Sequence, residues 1–215
     1  MKNIIVMIAK SSSGKDMAYK HIMNMFKDDI GRLVLYYDRP MRENEEDGAT
    51  YRFLSQREME TFLQNGVVTT AQGKTYKGQL IAKNTYPVVN SNGVTAALFL
   101  DDQILQSDKN NFLIVVDLVN FKQMVDFFKD NDQINLCPIY IETDFFKRIE
   151  RYYNRENKEK NPNYGEVLRR CIADEYDFEG IYDYIDKDND VIYNNSTIDN
   201  FLFTITKKVD SIIHS

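Results

Sequence analysis

Apolar and polar positions along this chain fall into blocks that switch between two periods. Asn3 to Ile8 is a short unbroken apolar run rich in β-branched side chains, the pattern of a strand covered on both faces. A Ser/Gly loop follows, and then Ala18, Ile22, Met25 and Phe26 recur at helical spacing. A second apolar run, Leu33 to Tyr37, predicts a strand and ends in a polar stretch, Asp38 to Thr50. Ser55 to Gln64 has a helical period and closes at Gly66. Val67 to Asn92 has none; its β-branched residues and Gly, Asn and Ser turn signals predict short antiparallel strands. Strand patterns return at Phe112 to Val116, Leu136 to Ile141 and Val191 to Tyr193, with Pro138 expected near a strand start or a sheet edge. Helical stripes separate them. Leu118, Phe121, Val125 and Phe128 form one, Asp144 to about Asn157 another, and Tyr164 to Phe178 a third after a polar break. A last helix opens at Ser196, with Asp199 as a capping-box variant, and buries Ile198, Phe201, Leu202, Ile205, Val209 and Ile212. Strands alternating with helices, the first joined to its helix by a Gly/Ser loop, predict an α/β fold built on a parallel sheet flanked by helices.

Composition narrows the classes. The 215 residues are 43% hydrophobic and 28% charged, enough for a real core in one domain. The formal net charge of -6 argues against a nucleic-acid binder, so any phosphate has to be held by a local basic constellation. No apolar run reaches the ~18–20 residues of a membrane span, so no membrane partner is expected. Cys137 and Cys171 have neither a disulfide framework nor metal-ligand spacing, and free thiols suit a reducing, cytoplasmic setting. His21 and His214 are too far apart in sequence to suggest a His-based triad or a zinc site.

The first loop carries the first candidate chemistry. Ala9-Lys10-Ser11-Ser12-Ser13-Gly14-Lys15-Asp16 keeps the Gly-Lys of the phosphate-binding pattern G-x-x-x-x-G-K-[ST], between a strand and a helix. It departs at Ala9 and at Asp16. Successive backbone N–H groups of Lys10 to Lys15, through Ser11, Ser12, Ser13 and Gly14, can curl around phosphate oxygens at a helix N-terminus, with Lys15 adding a point charge, whereas the Lys10 side chain is expected to be solvated. A carboxylate about 4 Å from a phosphate charge costs on the order of 4 kcal/mol at an effective dielectric near 20. Asp16 is therefore either a ligand for Mg2+ lying between the two or simply an acid favoured in a first helical turn.

A second anion site is written at Asp38-Arg39-Pro40-Met41-Arg42-Glu43-Asn44-Glu45-Glu46-Asp47-Gly48-Ala49-Thr50-Tyr51-Arg52-Phe53. This segment resembles the T-R-x-x-R-x-x-E-x-x-G-x-x-Y-x-F signature of guanylate kinases at Arg39, Arg42, Glu45, Gly48, Tyr51 and Phe53. Arg151 and Arg155, then Arg169-Arg170 with Ala173 and Glu175, are similar to the family's lid, and Val191-Ile192-Tyr193-Asn194 to its last strand. A sub-branch reading G-K-S-x-S-G-K-D-T in the first loop matches Asp16.

The resemblance implies a P-loop nucleoside monophosphate kinase fold with a small β-rich acceptor-binding subdomain and a helical lid. It divides the chain into a core (1–37 and 98–215), an acceptor-binding insertion (38–97) and a lid (about 151–170). It further implies transfer of the γ-phosphoryl of ATP, with Mg2+, to GMP or dGMP by a monomer or homodimer. Arg39, Arg42 and Tyr51 would hold the acceptor phosphate, Glu45 would belong to the same acceptor-nucleotide site, Asp117 would contact the base, and Lys15, Arg151, Arg155 and Arg170 would serve the transferring group. The family's base-reading Glu and Tyr-Gly-Ser/Thr thread near Ala82 and Ala97-Leu98-Phe99, which leaves altered base specificity or a non-catalytic binding module as alternatives.

Overall fold

The computed structural model describes residues 1–41, 45–48, 51–86, 93–101, 104 and 107–214. The central strand is β1 (Lys2–Ala9), whose residues point alternately into two cores. Ile4, Val6 and Ile8 pack on the side of α3 (Leu118–Phe128), and Ile5, Met7 and Ala9 on the side of α1 (Lys15–Met25) and α6 (Ile198–Ile213). That is why this run shows no polar alternation. Parallel neighbours β8 (Asn111–Val116) and β9 (Ile134–Glu142) flank it, and β2 (Ile30–Arg32) and β10 (Val191–Tyr193) close the edges in the order β10-β9-β1-β8-β2.

A second, mixed sheet is ordered β4-β3-β7-β6-β5, from β3 (Leu35–Tyr37), β4 (Tyr51–Phe53), β5 (Val67–Thr69), β6 (Thr75–Tyr86) and β7 (Val94–Asp101). Helix α2 (Gln56–Asn65) covers it, and Phe62 stacks on Phe99 with ring centroids 3.7 Å apart. Two helices, α4 (Phe145–Glu156) and α5 (Tyr164–Asp177), pack on each other through Tyr152, Val167 and Cys171.

Several expectations need correction. The run Leu33 to Tyr37 is not one strand of the parallel sheet. Its end is β3 of the second sheet, while the parallel strand is Ile30–Arg32, where Gly31 lets the backbone approach the Phe112 ring; a Cβ there would lie 2.9 Å from it. The second sheet takes in Leu35–Tyr37 and Val94–Asp101 and so extends past residues 38–97 at both ends. Strand β6 runs for 12 residues rather than being short.

Pro138 lies inside β9, but on a stretch that is an edge. Tyr140 N–H, two residues on, donates to Asp190 of the β10 segment, so the missing Pro138 N–H faces the same side, before β10 begins. In α1, Met23 is buried and Met25 is exposed. The cap of α6 is Thr197, whose side chain accepts from Asn200 N–H; this shift leaves Ile198 exposed.

Candidate functional site

Parallel β1 and β8 end together, Ile8 opposite Val116, so the loop after Ala9 and the residue Asp117 leave the sheet side by side. In open parallel sheets ligands bind outside such carboxyl ends.

The loop is shaped by its neighbours. Ser12 (φ 61°) and Gly14 (φ 93°) take left-handed backbone, and a Cβ on Gly14 would meet Asn194 Nδ2 at 2.6 Å. Three successive carbonyls are held outward: Ser11 accepts from Arg148 (3.3 Å), Ser12 from Arg151 (3.5 Å), and Ser13 from Asn194 Nδ2 (2.8 Å). The first intrahelical bond of α1 runs from Ala18 N–H to Gly14, so the amides of Gly14, Lys15 and Asp16 have no acceptor among the described residues. With carbonyls outward and amides at a helix start, the loop offers a concave row of donors. Lys15 Nζ stands 3.8 Å from Asp16 Oδ1, and the Asp16 side chain is 77% exposed.

Three loop residues behave differently from expectation. Ser11 N–H donates to Asp174 at 2.7 Å and Ser13 N–H to the Lys10 carbonyl at 3.3 Å, so both amides are committed within the protein. Lys10 is not solvated; it pairs with Glu175 at 2.7 Å and is 18% exposed.

Arg148 was not legible as a site residue, although it stands out in one respect. It occupies a position of the α4 stripe Phe145-Arg148-Ile149-Tyr152 that is otherwise apolar. Its side chain is fully buried against Asp174 (3.1 Å) and Glu175. Of the three expected lid arginines, Arg151 reaches the loop and donates to Asn194 C=O at 2.9 Å. Arg155 and Arg170 meet further out at Tyr152, one over its ring (4.3 Å to the centroid) and the other donating to its hydroxyl (3.0 Å). Arg169 and Arg170 both grip Glu166, which holds its carboxyl at about 2, well below the ordinary 4.5.

The second anion site gathers around Arg39. Its guanidinium is bidentate on Glu45 (2.6 and 2.7 Å) and lies over the rings of Tyr37, Tyr51 and Phe53. Arg42 lies outside the described residues. Asp117 caps α3 through Asn120 N–H (2.7 Å) and also accepts from Asn84 (2.9 Å) and the Tyr86 hydroxyl, both on β6. Burial, then the Asp117 charge, pushes the Tyr86 hydroxyl far up, and burial with Tyr51 and Asp117 does the same to Tyr37. Across from it, Asp177 on α5 is raised by burial and by the charges of Asp174 and Asp117. Ala82 and Ala97 are fully buried in the cores, so neither presents a side chain to a ligand.

Among the described residues no group of three or more His, Cys, Asp or Glu could hold a metal. A single carboxylate at the loop, Asp16, still suits Mg2+, which takes one or two carboxylates and fills its shell with phosphate and water oxygens.

These features define an open α/β protein with a glycine-bent loop at the carboxyl edge of a parallel sheet and an arginine–tyrosine cluster beside β3 and β4 of the second sheet. The sequence matches the guanylate kinase family over residues 1–205, and the chain belongs to that family. Among solved structures it is similar to guanylate kinase from Anaplasma phagocytophilum, with 14% identity and a TM-score of 0.60, covering 100% of this chain and 88% of that one. A search of curated proteins returns no match.

Proposed function

We propose that this protein is a nucleoside monophosphate kinase, passing the γ-phosphoryl of ATP to an acceptor such as GMP or dGMP. The observation that carries the reading is the loop of Ser12 to Lys15. The Ser12 and Ser13 carbonyls are tied by Arg151 and Asn194, its last amides lie at a helix start, and it leaves the sheet beside Asp117. Loop amides and Lys15 hold the donor phosphates. Arg39, Arg42 and Tyr51 hold the acceptor phosphate, with Glu45 fixing the Arg39 fork. Arg151 anchors the loop from α4, and Arg155 and Arg170 stand ready at Tyr152 to neutralise charge on the transferring group. Asp16 would hold Mg2+, which when bound neutralises charge on the donor phosphates. Catalysis is then positioning and charge stabilisation rather than base chemistry. Free thiols at Cys137 and Cys171 suit a cytoplasmic setting, and no helix among the described residues is long and apolar enough to cross a membrane.

The test is ADP release from ATP and Mg2+ with a panel of nucleoside monophosphates. Lys15→Ala should lower turnover by about 10²–10³-fold with the circular dichroism unchanged. Full turnover in the folded variant would overturn the kinase reading. Nucleotide binding without any turnover in the parent protein would favour a non-catalytic module.

A further inference from the structure

Asp117 has little capacity left for a ligand. Its Oδ1 accepts from Asn120 N–H at 2.7 Å, and its Oδ2 accepts from Asn84 Nδ2 at 2.9 Å, Asn120 Nδ2 at 3.3 Å and the Tyr86 hydroxyl. Four donors on one carboxylate nearly exhaust its lone-pair sites. The Tyr86 hydroxyl is engaged as well, through Tyr37.

What the carboxylate does instead is orient amides. An ionised carboxylate only accepts, so an Asn beside it must present its NH₂ and turn its oxygen away. The force of this constraint is visible at Asn120. Its Nδ2 faces Asp117 even though its Oδ1 is thereby buried with no partner among the described residues. Asn84 is held the same way, but it is half-buried, not sealed in. On β6 the residues Ala82, Asn84 and Tyr86 share one face. Ala82 is in the core, and the face turns polar as the strand passes Asp117 at the N-terminus of α3.

We propose that Asn84, its amide locked by Asp117, reads the acceptor base, and that Asp117 is a positioning residue rather than the base contact. This rests on the kinase reading above. With Oδ1 facing away from Asp117 as an acceptor, and one N–H remaining beside it, Asn84 matches a base edge that carries an N–H next to an acceptor. Guanine N1–H with O6 is such an edge, and a single amide there ignores the 2-amino group.

The experiment measures binding by calorimetry, and turnover in parallel, for GMP, IMP, AMP, CMP and dTMP. The parent protein should bind GMP and IMP within about tenfold of each other. Asn84→Ala should weaken the preferred nucleotides by about ten- to a hundredfold and leave the others unchanged, flattening selectivity. Asp117→Asn keeps a good helix cap but no longer dictates which way the Asn84 amide turns. It should flatten selectivity in the same way, with thermal stability close to that of the parent. An equal loss for every base, or unchanged base ratios in Asn84→Ala, would overturn the proposal. Loss of GMP binding in Asp117→Asn alone, with Asn84→Ala silent, would return base contact to Asp117. Selective binding without turnover overturns the kinase reading and leaves the assignment of Asn84 standing.

Discussion

Arg148 is a charged residue with a fully buried side chain. Asp174 and Glu175 neutralise it while its Nη1 also holds the Ser11 carbonyl. Removing one member of a fully buried pair typically costs about 3–5 kcal/mol, but here Lys10 still pairs with the part-exposed Glu175 and Ser11 N–H still donates to Asp174. Arg148→Ala should therefore lower the unfolding free energy, read from a denaturant titration, by less than about 3 kcal/mol. Arg148→Met with Asp174→Leu should recover part of it, because apolar replacement of both partners removes the stranded charge. Gly14 makes a separate demand. Its positive φ and the approach of Asn194 leave no room for a side chain, so Gly14→Ala should abolish donor binding and cost about 1–3 kcal/mol, read by calorimetry and thermal melting. Gly14 and Lys15 were legible because a short motif fixes both type and spacing. Arg148 was not, since local pattern alone cannot tell a charge facing solvent from one facing a partner on another helix.

Elements were legible where local chemistry specifies them. Helix α2 has a complete capping box, Ser55 with Glu58, and a left-handed Gly66 at its end, and its bounds match the pattern read from sequence. β2 was hidden because its three residues, Ile-Gly-Arg, include one apolar side chain; its place is set by Phe112 across the sheet. The Asn84–Tyr86 end of β6 was hidden for a similar reason, since only the packing of β6 against α3 shows which polar residues share the Asp117 face.

Helix α5 offers an element-scale test. Glu166 in its first turn is depressed from 4.5 to about 2 by Arg169 and then Arg170. Its contribution is present above pH 4.5 and is lost as pH falls toward 2. Because the group is largely solvated, screening limits the effect to about 0.2–1 kcal/mol. Parent and Glu166→Gln proteins should differ in melting temperature at pH 6, and the gap should shrink steadily as the pH falls below 4.5 toward 2. A gap of the same size from pH 6 down to pH 2 would show that the ionised pair does not stabilise the helix.

At the scale of the molecule, two sheets divide the labour. The parallel sheet supplies an edge at the ends of β1 and β8, and the mixed sheet reaches it where Asn84 and Tyr86 of β6 donate to Asp117. Sequence motifs named both ends of this arrangement, but not the crossing from one sheet to the other between β2 and β3, because the apolar run Leu33 to Tyr37 hides it and the switch is decided by pairing partners.

The position of β1 also sets a clock. Ile4 pairs across the sheet with Phe112, 108 residues later in the chain, and with Leu136, another 24 after that. At synthesis rates of roughly 5–20 residues per second, this buried apolar strand waits about 7–26 seconds before both its edges can be paired. Throughout that interval its unpaired backbone is a template for other chains. Nascent fragments that stop short of β9 should therefore aggregate, while the full chain, its strand closed from both sides at once, should fold in a single late step.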